Sequence, residues 1–153
     1  MKIKLYKKPS GKLLEKIKDL HNECFVMSQW SDEYLKKIFS KQQFSPVLFV
    51  AEDAKFIGGF LIGRLAKEKN EFLVHSFLVK NELRGNGYGK KMMLETLSYV
   101  VKYTKAEDLV VCFRQSNPVS KFYELFGFSN SQEFGFYKSG EKKICMKMKI
   151  RKK

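Results

Sequence analysis

The sequence predicts a single α/β (α+β) domain built on a mixed sheet, and three observations lead there. Apolar residues switch between alternation and a three-to-four spacing, giving the element order βααβββαβαββ. A chain of 153 residues that is 44% hydrophobic and 14% aromatic can bury its own core, which excludes a disordered tail. Its 3 prolines, Pro9, Pro46 and Pro118, all fall at element boundaries, and no repeat or linker divides the chain.

Ile3 and Leu5 alternate with lysines as a short first strand. Ser10 caps a helix with Leu13, Leu14, Ile17, Leu20 and Cys24 on one face. Ser31 caps a second, with Asp32 and Glu33 in its first turn and Tyr34, Leu35 and Ile38 inward. Val47–Ala51 and Phe56–Leu65 read as buried strands joined by a two-residue connection near Ala54-Lys55, and Glu71–Val79 reads as the next strand. Gly87 to about Tyr103 is helical, with an apolar stripe of Met93, Leu94, Leu97, Val100 and Val101. Leu109–Phe113 is a buried strand. Pro118–Phe126 is a short helix with Pro118 in its first turn and Gly127 at its end. Phe134–Tyr137 and Ile144–Ile150 complete the sheet.

Several function classes fall away on composition. The longest mostly apolar run, Phe56–Leu65, is about half the roughly 18 residues of a membrane span. The lysine-rich N-terminus has no apolar core of a secretory signal, so the expected location is cytoplasmic. Cys24, Cys112 and Cys145 are odd in number and widely spaced, which suits reduced thiols and neither a disulfide framework nor a zinc site. The net charge of +14 comes from 26 Lys and 4 Arg spread along the chain. It reads as a solvated lysine-rich surface, with a polyanionic partner as the alternative. No aromatic-basic motif of a nucleic-acid reader is present.

The chemistry concentrates in Arg84-Gly85-Asn86-Gly87-Tyr88-Gly89-Lys90, between a strand and a helix. Three glycines let the backbone approach a ligand, and the free N–H groups of the helix start attract an anion. Lys91 stands where a P-loop needs Ser or Thr, and Lys90 where a dinucleotide fingerprint needs its third glycine. Neither familiar nucleotide site fits, and an ordinary flexible turn is the remaining plain reading.

A third pattern does fit. Arg84-x-x-Gly87-x-Gly89 resembles the Q/R-x-x-G-x-G/A signature of the GNAT superfamily of acetyl-CoA-dependent N-acetyltransferases. Downstream, Arg114-Gln115-Ser116-Asn117-Pro118-x-Ser120-x-Phe122-Tyr123-x-x-x-Gly127-Phe128 resembles that family's R-x-S-N-x-x-A-x-x-x-Y-x-x-x-G-F block, with Ser120 where alanine is usual and one residue fewer before Tyr123. The order of the blocks matches, and the resemblance covers essentially the whole chain. Cys24-Phe25…Trp30-Ser31, Val111–Asn117 and Phe136-Tyr137…Glu141…Met146-Lys147-Met148 are similar to the ribosomal-protein alanine N-acetyltransferase (RimI-type) branch.

The resemblance implies a mostly antiparallel sheet of six to seven strands with helices on both faces. It implies acetyl-CoA as cofactor, with its pyrophosphate on the backbone of Arg84, Gly85, Asn86, Gly87, Tyr88, Gly89 and Lys90. The pantetheine arm would lie along Phe77, Leu78 and Val79, near Asn117 and Ser120, and Tyr123 would be the general acid. The implied reaction is direct attack by a primary amine in a ternary complex, the acceptor being a protein N-terminus of the ribosomal-protein type. Ribosome association, as monomer or homodimer, would give the positive charge a use. A small-amine acetyltransferase and a non-catalytic acyl-CoA-binding regulator are the alternatives, the second because Cys112 replaces the branch's proposed glutamate base. Glu71 and His75, four apart on a strand, share a face, and either could take a proton through water. At pH 7.5 roughly a quarter of α-amino groups are neutral against about a thousandth of lysine side chains, so a site without a strong base suits N-termini.

Overall fold

The computed structural model describes residues 1–26, 28–40, 44–54 and 56–150, with backbone only for Asn130 and Ser131. Seven strands and four α-helices follow the expected order among these residues. They are β1 (Lys2–Tyr6), α1 (Gly11–Cys24), α2 (Asp32–Ser40), β2 (Val47–Glu52), β3 (Ile57–Ala66), β4 (Glu71–Val79), α3 (Tyr88–Tyr103), β5 (Asp108–Arg114), α4 (Ser120–Glu124), β6 (Ser129–Phe136) and β7 (Lys142–Lys149). The sheet runs β1-β2-β3-β4-β5-β7-β6, antiparallel everywhere except between β4 and β5. That is the mixed, mostly antiparallel seven-stranded α/β architecture that the resemblance implies.

Strand alternation sorts the side chains into two cores. On one face, Leu14, Ile17 and Leu20 of α1 and Leu35 and Phe39 of α2 pack on Leu48, Val50, Phe60, Ile62 and Leu78. On the other, Met93 and Val100 of α3 and Tyr123 of α4 pack on Phe49, Phe72, Val74, Val111, Phe113 and Met146. Phe60 and Phe72 are wholly buried, one in each core; such rings contribute roughly 1.5–3 kcal/mol each. Gly63 is required by close approach, because a Cβ there would lie 2.3 Å from a Phe72 ring carbon.

The Ser10 hydroxyl caps α1 as expected, accepting from the Leu13 N–H at 3.1 Å. Four expectations need correction. The buried face of α3 is Met92, Met93, Thr96 and Val100, whereas Leu94 and Val101 are exposed. A threonine is tolerated inside because its hydroxyl donates to the Met92 carbonyl at 2.8 Å, which hides the polar group. Helix α4 starts at Ser120, two residues after Pro118, with Val119 as its cap. Strand β6 starts at Ser129, well before the expected Phe134; its first residues are polar, and register shifts interrupt its pairing with β7. Cys112 and Cys145 face each other across β5 and β7 and form a disulfide, so only Cys24 is a free thiol. The chain spacing of 33 residues had hidden that pairing, which strand register creates. The expected connection near Ala54-Lys55 involves Lys55, outside the described residues.

Candidate active site

The site begins where the sheet divides. β4 pairs with β5 only from Glu71↔Asp108 to Val74↔Val111. Beyond Val74 the two strands part, and the β5 side of His75–Val79 has no strand partner. On its other side β4 stays paired to β3, but Ile62 opposes Ser76 and Gly63 opposes Val74. His75 is thus the extra residue of a β-bulge at the start of the split. The bulge reverses alternation. Phe72 and Val74 face the α3 core, whereas after it Phe77 faces that core and Leu78 the opposite one. Phe77 and Leu78 therefore anchor β4 into both cores, and the backbone of Phe77, Leu78 and Val79 is left for an extended ligand.

The glycine turn lies just beyond. Gly85 and Gly87 have φ of +83° and +81°, and around both the space is open. Arg84 Nε donates to the Val79 carbonyl at 3.1 Å, and the Asn86 amide donates to the Leu83 carbonyl at 3.0 Å, which ties the turn to β4. The first bond of α3 runs from the Lys91 N–H to the Gly87 carbonyl. The N–H groups of Tyr88, Gly89 and Lys90 precede it and have no acceptor within the helix, so they point a positive dipole end at the turn. Gly89 lies against Phe122 and Phe77, which joins the turn to α4.

Asn117 and Tyr123 approach from the β5 side. The Asn117 N–H donates to the Arg114 carbonyl and its carbonyl accepts from the Val119 N–H, both at 2.9 Å. Its side chain does not cap α4 and hydrogen-bonds none of the described residues. A carboxylate that the sequence did not single out for the site pins this loop. Glu141 Oε1 accepts from the Ser116 N–H at 2.7 Å, and Glu141 lies 3.5 Å from Arg114, whose guanidinium covers the Tyr137 ring at 4.5 Å. The Ser116 hydrogen bond leads in holding the Glu141 carboxyl below its ordinary value. Ser120 opens α4, and the Tyr123 ring stacks on Phe113 at 5.7 Å between centroids. Burial, with Tyr137 adding to it, raises the Tyr123 pKa far above that of a free phenol, so its hydroxyl keeps its proton.

The two candidate bases separate. Glu71 is buried and forms an ion pair with Lys147 at 2.6 Å, at the end of β4 that is still paired to β5. His75 stands at the split, with Nε2 3.0 Å from the Tyr34 hydroxyl and the imidazole edge-on to Trp30. Trp30 stacks in turn on buried His21 at 3.5 Å. The His75 ring keeps solvent access, yet desolvation by the packed surroundings lowers its pKa, and Arg64 and Lys143 add to the shift. The lowered pKa leaves the imidazole neutral near pH 7. Burial holds Tyr34 as a phenol, able to donate to Nε2. Trp30 and Tyr34 escaped the sequence reading of the site because their link to His75 spans 41 residues or more and exists only through packing.

The family description "Acetyltransferase (GNAT) domain" matches residues 13–150, and the chain belongs to that family as an acetyl-CoA-dependent N-acetyltransferase. No curated protein sequence matches the chain significantly. Among solved structures it is similar to the ribosomal-protein-S18-alanine N-acetyltransferase of Escherichia coli, at 16% identity and a TM-score of 0.74 over 99% of this chain and 96% of that one. It is similar to Arabidopsis thaliana NAA60 in complex with a bisubstrate analogue, at 15% identity and 0.78 over 99% and 100%. It is also similar to an aminoglycoside 6'-N-acetyltransferase complexed with coenzyme A, at 13% identity and 0.81 over 100% and 99%. At these identities the likeness is one of fold. No described helix is long and apolar enough to cross a membrane.

The residues present fit coenzyme A. Open space surrounds Gly85 and Gly87, outward N–H groups begin α3, and one edge of β4 is unpaired. When bound, acetyl-CoA supplies the acetyl group as a thioester.

Proposed function

We propose that the protein acetylates the α-amino group of protein N-termini. The observation that carries this reading is the imidazole at the split: His75, neutral near pH 7 and hydrogen-bonded to Tyr34, with Glu71 turned away into its ion pair. A weak base of this kind suits an amine of reference pKa near 8 far better than a lysine near 10.4. The proton that the amine loses reaches His75 by relay: the Tyr34 hydroxyl takes it, directly or through water, while passing its own proton to Nε2. The backbone of Phe77, Leu78 and Val79 orients the pantetheine arm, the amides of Arg84 to Lys90 hold the pyrophosphate, and the free Asn117 amide and Ser120 line the arm's other side. Tyr123 holds the proton that the departing sulfur needs. A cytoplasmic site of action beside the ribosome would give the net charge of +14 an attractive RNA field.

The test is a set of peptides that differ only in the first residue, read by mass, beside N-terminally blocked copies and small amines. Acetylation at the α-amino group, absent from blocked copies that retain lysine, is expected. Transfer to small amines alone would replace this reading with a small-molecule acceptor, and acetyl-CoA binding without transfer would leave a regulator.

A further inference from the structure

Helices α1 and α2 cover the sheet over β2, β3 and the end of β4, and among the described residues neither packs on β5 or β7 of the same face. That open half runs up to His75 and carries many cations. Two of those on it are neutralised in place, Lys147 by Glu71 at 2.6 Å and Arg114 by Glu141 at 3.5 Å. Arg64 and Lys143 have no carboxylate within ion-pair distance among the described residues. Both are partly buried and share a face of the sheet, Arg64 opposite Leu73 on the β3 side of β4 and Lys143 opposite Arg114 on β7, past the point where β5 leaves β4; desolvation leads in lowering the His75 pKa, and both charges add to it. Arg64 sits on β3, in register with Leu73, and its guanidinium lies over the Phe44 ring at 5.0 Å.

Arginine is scarce here, 4 against 26 lysines. Of the described arginines, Arg84 is engaged by the Val79 carbonyl and Arg114 by Ser139 and Glu141. Arg64 is oriented by an aromatic ring with its donor fork left over, which suits a planar carboxylate. A cation brought to the same place would be repelled by both residues.

We infer that Arg64 and Lys143 select acceptors that carry a carboxylate beside the reacting amine, namely protein N-termini with Asp or Glu at the first or second position. This rests on the N-terminal reading above. Charge complementarity of this kind governs choice among partners and the rate of encounter more than raw affinity.

The experiment compares kcat/KM for matched peptides with Asp, Asn or Lys at the first or second position, together with free aspartate and asparagine. The Asp peptide is expected to exceed its Asn isostere by about tenfold, with the ratio shrinking as salt rises. Arg64→Met should pull the ratio towards one. Lys143→Glu should turn the preference towards the Lys peptide, a gain that a merely misfolded variant cannot show. Equal rates for Asp and Asn, a preference for Lys in the wild type, or no acetylation of any substrate would overturn the inference. Transfer to the free amino acids but to no peptide would sink the N-terminal reading alone, and the aspartate-to-asparagine ratio would then decide the carboxylate inference by itself.

Discussion

Tyr123 and His75 divide the proton chemistry, and their environments let each be tested separately. Tyr123→Phe keeps the ring against Phe113 and Phe128 while removing the hydroxyl. Its kcat should fall about a hundredfold with the KM for acetyl-CoA unchanged, because the lost proton matters only as the sulfur departs. Since burial raises the Tyr123 pKa, no alkaline limb near pH 10 should come from this residue. The His75 pKa lies below the ordinary 6.5, so kcat at saturating amine should hold through neutrality and fall only on the acid side of that value, whereas kcat/KM also follows the free α-amino group near pH 8. His75→Gln should lower the rate and abolish that acid limb; an unchanged limb would assign it to another group. Tyr123 was legible in the sequence because the short spacings Asn117-x-x-Ser120-x-x-Tyr123 lie within one turn and helix. Tyr34, Trp30 and Glu141 were not, because each reaches its partner across the fold: Tyr34 meets His75 over 41 residues.

At the scale of elements, the strands and helices were legible from period and punctuation, and three details were not. The α3 stripe was read as Met93, Leu94, Leu97, Val100 and Val101, but a helix among so many apolar residues can present several faces, and the sheet kept Met93 and Val100, buried Met92 and Thr96 with them and left Leu94 and Val101 exposed. The start of β6 carries no apolar signal. The bulge in β4 has none either, since nothing in Val74-His75-Ser76 marks a residue without a partner. Two glycine substitutions test the elements that frame the site. Gly63→Ala drives a methyl into buried Phe72 and should cost about 1–3 kcal/mol in a urea titration. Gly87→Ala meets no atom, but it forces φ of +81° on an L-residue. A stability loss of roughly 1–2 kcal/mol is expected, together with weaker acetyl-CoA binding by calorimetry.

Across the whole molecule, two long-range features govern stability. The Cys112–Cys145 disulfide ties β5 to β7 across 33 residues, and in the chain-entropy view closing such a loop is worth about 3–4 kcal/mol. Unreduced protein should show one reactive thiol, Cys24, and reduction should expose the other two and lower the melting temperature; three reactive thiols without reductant would contradict the pairing. The 2 histidines, His21 and His75, flank Trp30, and desolvation lowers both pKa values below 6.5. On the acid side of 6.5 the unfolded chain binds more protons than the native one, so stability is full above that pH and declines as the medium acidifies. The urea midpoint should therefore drop between pH 7.5 and pH 5, and His21→Phe should flatten the drop. The unpaired residue in β4 has one more effect: deleting position 75 is a different experiment from replacing it. Excision would restore regular pairing with β3, Val74 against Gly63 and Ser76 against Ile62, and would leave the segment 76–79 on the faces it now has. Phe77 would stay in the α3 core and Leu78 in the opposite one, so a single missing codon would remove the imidazole while both hydrophobic layers kept their partners.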